Sequence, residues 1–313
     1  MKTYKILFLL PCLLLILANA RQQKSPVAEL DLAQRYSQFQ TALMSLLDEA
    51  NQYRTSPESA HSLRQALVET RLAYKEFSFL LTYFYPAFAE DHLNGAPLLK
   101  AKKHSTHSVV EPPEGLQVLD EMIFAEPIEE PGQVAIQIRL LANKALELAN
   151  DFSNKRISLD QLVEASKLGL NELFTLGLTG FDTPGSLNAI PEGIASLSGM
   201  WSMLSTQENV QRSRHFSLLN ESFDQALRYL EQAPDFNTFD RLTFYRDHLQ
   251  ALYSHLVDIQ EELGLSTKLY FPSGRKATAR SLFDADFLDP FFFTELDAQK
   301  DSPALRSLGK ALF

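Results

Sequence analysis

Hydrophobic residues recur at helical spacing along most of the chain. From about residue 27 to residue 53, an apolar side chain returns every three or four positions, the period of one buried helix face. The same period runs through further stretches, at about 56–85, 132–154, 158–176, 191–204, 207–230 and 238–263. No run of alternating β-branched residues marks a strand. The pattern therefore predicts an all-α fold.

The helices are expected to pair as long antiparallel hairpins. Ser56-Pro57 is typical of an N-cap followed by proline at the first helical position, and it leaves only a short turn between the first two helices. A long hairpin at each end, at about 27–85 and 207–263, flanks a shorter helical middle. This arrangement predicts two related helical bundles, at about 27–126 and 127–263.

The first twenty residues have the pattern of a secretory signal peptide. Lys2 and Lys5 precede an apolar run from Ile6 to Leu17, and Ala18-Asn19-Ala20 is a small-x-small cleavage site. The apolar run is short for a membrane span. We therefore expect cleavage near Ala20, export to the periplasm or the medium, no transmembrane segment in the mature chain, and a helical domain that spans 21–263.

The last fifty residues, 264–313, differ in character from the helical domain. Pro272-Ser273-Gly274, Asp289-Pro290 and Ser302-Pro303 interrupt the segment, and it is rich in phenylalanine. We expect an irregular tail whose aromatic side chains pack on the bundle or on a following domain. The final ten residues, 304–313, have the pattern of an amphipathic helix.

Cysteine content and charge exclude several classes of function. Cys12 is the only cysteine and lies in the signal peptide, so the mature part of this sequence offers no disulfide, thiolate metal site or C-x-x-C-H haem attachment. The net charge of the 313 residues is −10. Such an acidic protein is not expected to bind nucleic acid.

The stretch from about Asn94 to Glu126 carries the candidate ligand residues. Glycine and proline break the helical pattern, which restarts after Gly115 with a short apolar stripe. Gln117 and Asp120 are three residues apart and share one face of that helix, and Glu121 follows. This polar group predicts either a metal or ligand site inside the bundle or a structural hydrogen-bonded pair.

Two other groups of polar residues could belong to a functional site, but each also has a simpler structural explanation. Arg71, Lys75 and Glu76 lie near the apolar face of the second helix, where a buried ion pair is possible. His104 and His107 form an H-x-x-H pattern in a lysine-rich loop, where surface histidines are commoner than metal ligands. No pattern of catalytic residues is present, so no catalytic residue is predicted.

Short motifs resemble those of a known family. Gly115-Leu116-Gln117-Val118-Leu119-Asp120 resembles the imelysin family, whose helical bundles carry a G-x-H-x-x-E motif. Asn94-Gly95-Ala96-Pro97 and Phe181-Asp182-Thr183-Pro184-Gly185 are similar to imelysin-like regions that precede di-haem cytochrome c peroxidase domains in exported bacterial proteins. The segment from Ser307 to Phe313 is similar to the start of such a peroxidase domain.

The resemblance implies an accessory role. It suggests a haem-free docking region of a di-haem cytochrome c peroxidase, truncated before the haem domain, with that domain or an electron-donor protein as its partner. Haem c is expected only in the following domain. Two departures matter: Gln117 stands where the family has histidine, and Asp120 stands where it has glutamate. A glutamine amide oxygen is a weaker ligand for a transition metal than a histidine nitrogen.

Two alternatives remain open. The chain is alternatively a stand-alone periplasmic imelysin-like module that binds a metal or a small ligand through Gln117, Asp120 and Glu121. An imelysin-type peptidase is the weaker alternative, because Gln117 replaces the histidine of the family motif.

Overall fold

A computed structural model describes residues 31–101, 110–271, 274–276, 278–285, 287–294 and 301–313. The predicted signal peptide and the two loop histidines, His104 and His107, lie outside these ranges. Within them, the protein is helical almost throughout, which confirms the predicted all-α class. The division into bundles at about residue 126 stays a prediction.

The first hairpin has the predicted order, but its second helix is interrupted. Helix α1 spans Leu32–Tyr53, a 3-10 turn covers Pro57–Ser59, α2 spans Ala60–Lys75, and α3 spans Ser78–Phe84. The continuous helix predicted over 56–85 is therefore wrong at residues 76 and 77. Phe77 is completely buried there, and its backbone leaves the helical region with a φ of −132°.

The central stretch contains a small element that the sequence pattern did not predict. Helix α4 (Pro86–Phe88) runs into a π-helical turn at Ala89–Leu93. Two-residue strands β1 (Lys100–Ala101) and β2 (Val110–Glu111) then pair antiparallel. Helix α5 follows at Leu116–Phe124. Strands this short have no detectable period, which explains why the pattern missed them.

The middle and last helices follow the predicted order. Helix α6 spans Pro131–Ser153, and α7 spans Leu159–Glu172 and begins with a capping box of Ser158 and Gln161. The remaining elements are a π-turn at Leu173–Gly177, α8 at Ala189–Leu204, α9 at Glu208–Gln211, α10 at Phe216–Glu231, α11 at Arg241–Phe244, a π-turn at Tyr245–Leu249 and α12 at Gln250–Glu262.

One break in this part departs from the pattern. The helix predicted over 207–230 is interrupted between α9 and α10, at residues 212–215. Ser213 lies in this break, where its hydroxyl donates to the Glu262 carboxylate at 2.5 Å. Partners outside the helix therefore hold the break in place.

The helices share one continuous hydrophobic core. Helix α1 packs between α2 and α6, α3 packs on α7, and α10 packs on α8 and α12. Contacts between α2 and α8 join these groups. At that contact Gly199 of α8 meets the backbone of Glu76, where an added Cβ would lie 1.9 Å from the Glu76 carbonyl oxygen. Only glycine allows the two helices to approach so closely.

The tail packs on the bundle through polar contacts and through some of its aromatic side chains. Arg275 ion-pairs with the buried Glu164 carboxylate and donates to the Tyr253 hydroxyl at 2.7 Å. Phe287 is buried, whereas Phe283 and Phe293 are about two-thirds exposed. The expected packing of the aromatics on the bundle is therefore only partly correct.

The described part of the chain ends in an exposed helix. Helix α13 spans Pro303–Leu312, as the amphipathic pattern predicts, and it has no buried residue. None of the helices in the described ranges is long and apolar enough to cross a membrane.

Candidate functional site

Two cations on the last turns of α2 are the base of the candidate site. Arg71 and Lys75 are four residues apart, so their side chains leave the helix on the same face. The Arg71 side chain is 1% exposed and that of Lys75 is 9% exposed. Burying two charges next to each other is costly unless carboxylates neutralise them.

The required carboxylates come from a distant part of the chain. The Arg71 guanidinium binds both oxygens of Glu192, at 2.5 and 3.0 Å, and donates to the Asp182 carbonyl at 2.6 Å. The Lys75 ammonium binds the Asp182 carboxylate and lies 3.5 Å from Glu192. The predicted buried ion pair exists for Arg71 and Lys75, whereas Glu76 pairs with Arg35 nearer the surface.

The directions of the pKa shifts of Asp182 and Lys75 favour the charged forms of this pair. Burial alone would raise the pKa of Asp182, but Lys75 and then Arg71 lower it below its ordinary value. Burial would likewise lower the pKa of Lys75, but Asp182 and Glu192 raise it. The negative carboxylates thus stabilise the protonated, charged form of Lys75.

Gln117 extends this network to α5. Its side-chain nitrogen donates to the Asn94 carbonyl and to Asp182 Oδ1, both at 2.9 Å. Because both partners are acceptors, the orientation of the amide is fixed. The Gln117 side-chain oxygen is buried and has no hydrogen-bond partner. Gln117 therefore keeps one unsatisfied hydrogen-bond acceptor.

Asp120 has a structural contact of its own. Its Oδ2 accepts from the backbone nitrogens of Gly185 and Ser186, at 2.7 and 2.9 Å, and fixes the loop before α8 to α5. A Cβ on Gly185 would lie 2.6 Å from the Asp120 carbonyl oxygen. Gly115, which begins α5, has a φ of +111°, a conformation that favours glycine. The glycines of both motifs thus permit this close packing.

A cavity of about 350 Å³ opens beside the ion pairs. Its polar wall is formed by Lys75, Asn94, Gln117, Glu172, Asp182 and Glu192. Its apolar wall is formed by Phe79, Leu173, Leu176, Phe181 and Met200, among others. A volume of this size and a mostly apolar lining with a few convergent polar groups are typical of small-molecule sites.

Glu172, at the end of α7, is a carboxyl group of the cavity wall with a strongly raised pKa. Burial, and then the negative charge of Asp182, raise its pKa to about 8, although Lys75 and a hydrogen bond from Thr82 oppose the shift. Glu172 therefore holds a proton at neutral pH. A perturbed carboxyl group in a cavity is a common mark of a functional site.

The three residues that the sequence singled out have separate positions. Gln117 lies in the cavity wall, Asp120 is buried beside the network and binds the loop of Gly185, and Glu121 is exposed. They do not converge on one point. Sequence reasoning missed Glu172 and Glu192 as site residues. The helical period could have indicated both, because each is an acidic residue among apolar neighbours.

Metal donors do not converge in the described ranges. No group of three or more histidine, cysteine, aspartate or glutamate side chains there could hold a metal ion. In the cavity the carboxylates of Asp182 and Glu192 are already engaged by Lys75 and Arg71.

Comparisons with known proteins add no family assignment. A scan against protein-family models finds no family that matches the chain, and a search of curated proteins finds no match. The conclusions on function therefore depend on the geometry of the site.

Proposed function

We propose that this chain is an imelysin-like ligand-binding module that holds a small organic molecule in the cavity between α2, α5, α7 and α8. The observation that carries the proposal is the unpartnered side-chain oxygen of the buried Gln117, which lies in the wall of a cavity of about 350 Å³. A buried acceptor without a partner costs free energy, which a hydrogen-bond donor on a ligand would recover.

The network around the cavity supports the proposal. Arg71 and Lys75 bind Glu192 and Asp182, and these contacts hold the wall rigidly before any ligand enters. Preorganised polar groups lose little entropy on binding. The contact between Gln117 and Asp182 also joins two of the segments on which the imelysin resemblance depends.

Saturation-transfer NMR on a mixture of small amines, alcohols, amides and carboxylates tests the proposal. We expect transfer to at least one compound, and a loss of it in Gln117→Leu. Gln38→Leu, on the exposed face of α1, is the matched control and should bind as the wild type does. Transfer to no compound, or equal transfer in Gln117→Leu, would contradict ligand binding in this cavity. Calorimetry with iron, zinc and calcium tests the metal alternative.

A second proposal is the accessory role beside a di-haem cytochrome c peroxidase, in an exported protein. The exposed apolar side chains of the tail support it, because Phe283, Phe293, Leu308 and Leu312 are all more than half exposed. Apolar residues grouped at one end of a chain are typical of a surface that another domain covers. Reading the DNA after the codon for Phe313 tests this: a C-x-x-C-H sequence downstream would support it, and its absence would count against it.

A further inference from the structure

We propose that the ligand of this cavity is a small organic cation, an alkylammonium or arylalkylammonium ion, whose charged head lies against Glu172 and Asp182 and whose hydrocarbon part lies along Phe79, Leu173 and Met200. The inference rests on the proposed ligand binding and specifies the class of compound. It follows from the charge balance of the site, the kind of unpartnered atom in the wall and the apolar surface opposite.

The charge balance of the buried network favours a cation. Arg71 pairs with Glu192 and Lys75 pairs with Asp182, so these four groups balance one another. Glu172, once ionised, adds a negative charge to the cavity wall that no further cation of the wall balances. Lys75 is the only cation of the cavity wall, and Asp182 and Glu192 already engage it. An anionic ligand would find no free cation there.

The unpartnered atoms of the wall point to a ligand that donates hydrogen bonds. Besides the Gln117 side-chain oxygen, the side-chain oxygen of Asn94 is buried without a partner. Both atoms only accept hydrogen bonds. An ammonium head has three donors and no acceptor, so its chemistry complements such oxygens. A carboxylate ligand would place acceptors against acceptors.

Glu172 provides the negative charge that an ammonium head requires. In the free protein this carboxyl group keeps its proton, because its pKa is raised to about 8 by burial and by Asp182. A bound cation favours the ionised form, so the carboxyl group releases its proton to solvent as the cation binds. The ammonium then replaces the proton as the partner of the carboxylate.

Other charged groups around α7 either face the same cavity or are paired elsewhere. Tyr74, Lys75, Asp182 and Glu192 face the same cavity, and Glu90 lies at its exposed rim. Further along α7, Lys167 and Arg275 both pair with the buried Glu164, and none of these three residues lines the cavity. In this region, Glu172 is thus the group whose proton a bound ligand cation would replace.

Calorimetry with compounds matched in carbon skeleton tests the proposal. The two sets are butylammonium, butanol and butyrate, and phenethylammonium, phenethyl alcohol and phenylacetate. We expect the better ammonium ion to bind roughly tenfold or more tightly than its alcohol, because a charged hydrogen bond replaces a neutral one, and its carboxylate to bind least. Titrations in buffers of different ionisation enthalpy should show proton release near neutral pH. The affinity should rise as the pH rises toward about 8.

The variant Glu172→Gln distinguishes recognition from folding. It should weaken ammonium binding roughly tenfold or more and abolish the proton release, while binding of the alcohol stays unchanged. Glu231→Gln, on an exposed carboxylate at the end of α10, should leave every affinity unchanged.

The outcomes separate the two proposals. If an alcohol or a carboxylate binds as tightly as its ammonium counterpart, the cation inference is wrong while ligand binding stands. If none of the six compounds binds at millimolar concentration, the cation inference is overturned. The saturation-transfer NMR experiment then decides separately whether the cavity binds any small molecule.

Discussion

The side-chain nitrogen of Gln117 donates a hydrogen bond to Asp182 Oδ1 at 2.9 Å, across 65 residues of sequence. This bond connects the first turn of α5 to the loop before α8. The same carboxylate binds the Lys75 ammonium through its other oxygen. Gln117 thus orients the carboxylate that neutralises a buried lysine.

Replacing Gln117 by leucine should destabilise the fold. The substitution removes one donor from the Asp182 carboxylate and one from the Asn94 carbonyl, so we expect a loss of about 2 kcal/mol in the free energy of unfolding. Urea denaturation followed by circular dichroism measures it. Gln38→Leu, on an exposed position of α1, should change stability by less than about 0.5 kcal/mol. Equal effects of the two substitutions would show that the Gln117 contacts contribute nothing.

The buried pair of Arg71 and Glu192 should show strong energetic coupling. Arg71→Met leaves the Glu192 carboxylate buried without its main partner and should cost about 3–5 kcal/mol. The double variant Arg71→Met/Glu192→Gln should cost less than the sum of the two single variants, because no carboxylate then stays uncompensated by Arg71. A double-mutant cycle by urea unfolding measures the coupling.

The exposed pair of Arg228 and Asp224 on α10 is the matched control for this cycle. Its coupling energy should be at most about 0.5 kcal/mol, because solvent screens it. A coupling energy of Arg71 and Glu192 as small as this would contradict the role assigned to the buried pair.

Glu172 should make stability depend on pH. Its pKa is about 8 in the folded protein and 4.5 when the carboxyl group is solvated, so the folded state holds the extra proton between these values. The contribution of the protonated Glu172 to the free energy of unfolding is complete below pH 4.5 and is lost as the pH rises through about 8. Glu172→Gln should match the wild type in acid and be more stable by roughly 2 kcal/mol above the higher pKa, a value reduced for partial exposure.

Thermal or urea unfolding of wild type and Glu172→Gln across this pH range measures the difference. Glu231→Gln, an exposed substitution, should follow the wild-type curve throughout. Parallel curves for wild type and Glu172→Gln would show that the carboxyl group ionises normally.

The close approach of α8 to α2 should not tolerate a side chain at Gly199. A methyl group there would meet the carbonyl oxygen of Glu76, and backbone atoms cannot move aside as a flexible side chain can. Gly199→Ala should therefore cost about 3 kcal/mol of unfolding free energy. Gly309→Ala, in α13, is the control: nothing lies within 4 Å of its added methyl group, and alanine favours helix, so no loss is expected.

Arg275 should hold the tail on the bundle. Arg275→Met removes an ion pair to the fully buried Glu164 and a hydrogen bond to Tyr253. We expect the segment after Gly264 to be cleaved several-fold faster in limited proteolysis, because local opening becomes easier. Arg306→Met, which removes an exposed arginine of α13, should leave cleavage after Gly264 unchanged. Unchanged cleavage in Arg275→Met would mean that other contacts hold the tail.

The helical period predicted the fold class and most helices, because an amphipathic helix carries its buried face in its own sequence. The period did not reveal where a helix breaks. At the first interruption the backbone of Glu76 meets Gly199 of α8, and at the second Ser213 binds Glu262, a partner 49 residues away. Such breaks are decided by tertiary contacts, which local spacing does not contain.

The candidate site was only partly predictable for the same reason. Gln117 stood out because a polar residue interrupted an apolar stripe after a glycine, and Arg71 and Lys75 stood out in a similar way. Glu172 and Glu192 lie on other helices, and nothing local indicates that they face α2. Glu121, the third candidate, is exposed, although seven of the nine residues of α5 are buried.

The ion pair between Arg71 and Glu192 spans 121 residues, and this separation has a consequence during synthesis. While the ribosome translates the intervening residues, the first hairpin carries two cations on its inner face with no carboxylate to neutralise them. That face cannot dehydrate until α8 arrives. We therefore expect a nascent chain that ends before residue 192 to stay loosely packed at the lower end of α2, and the cavity to be among the last features to form.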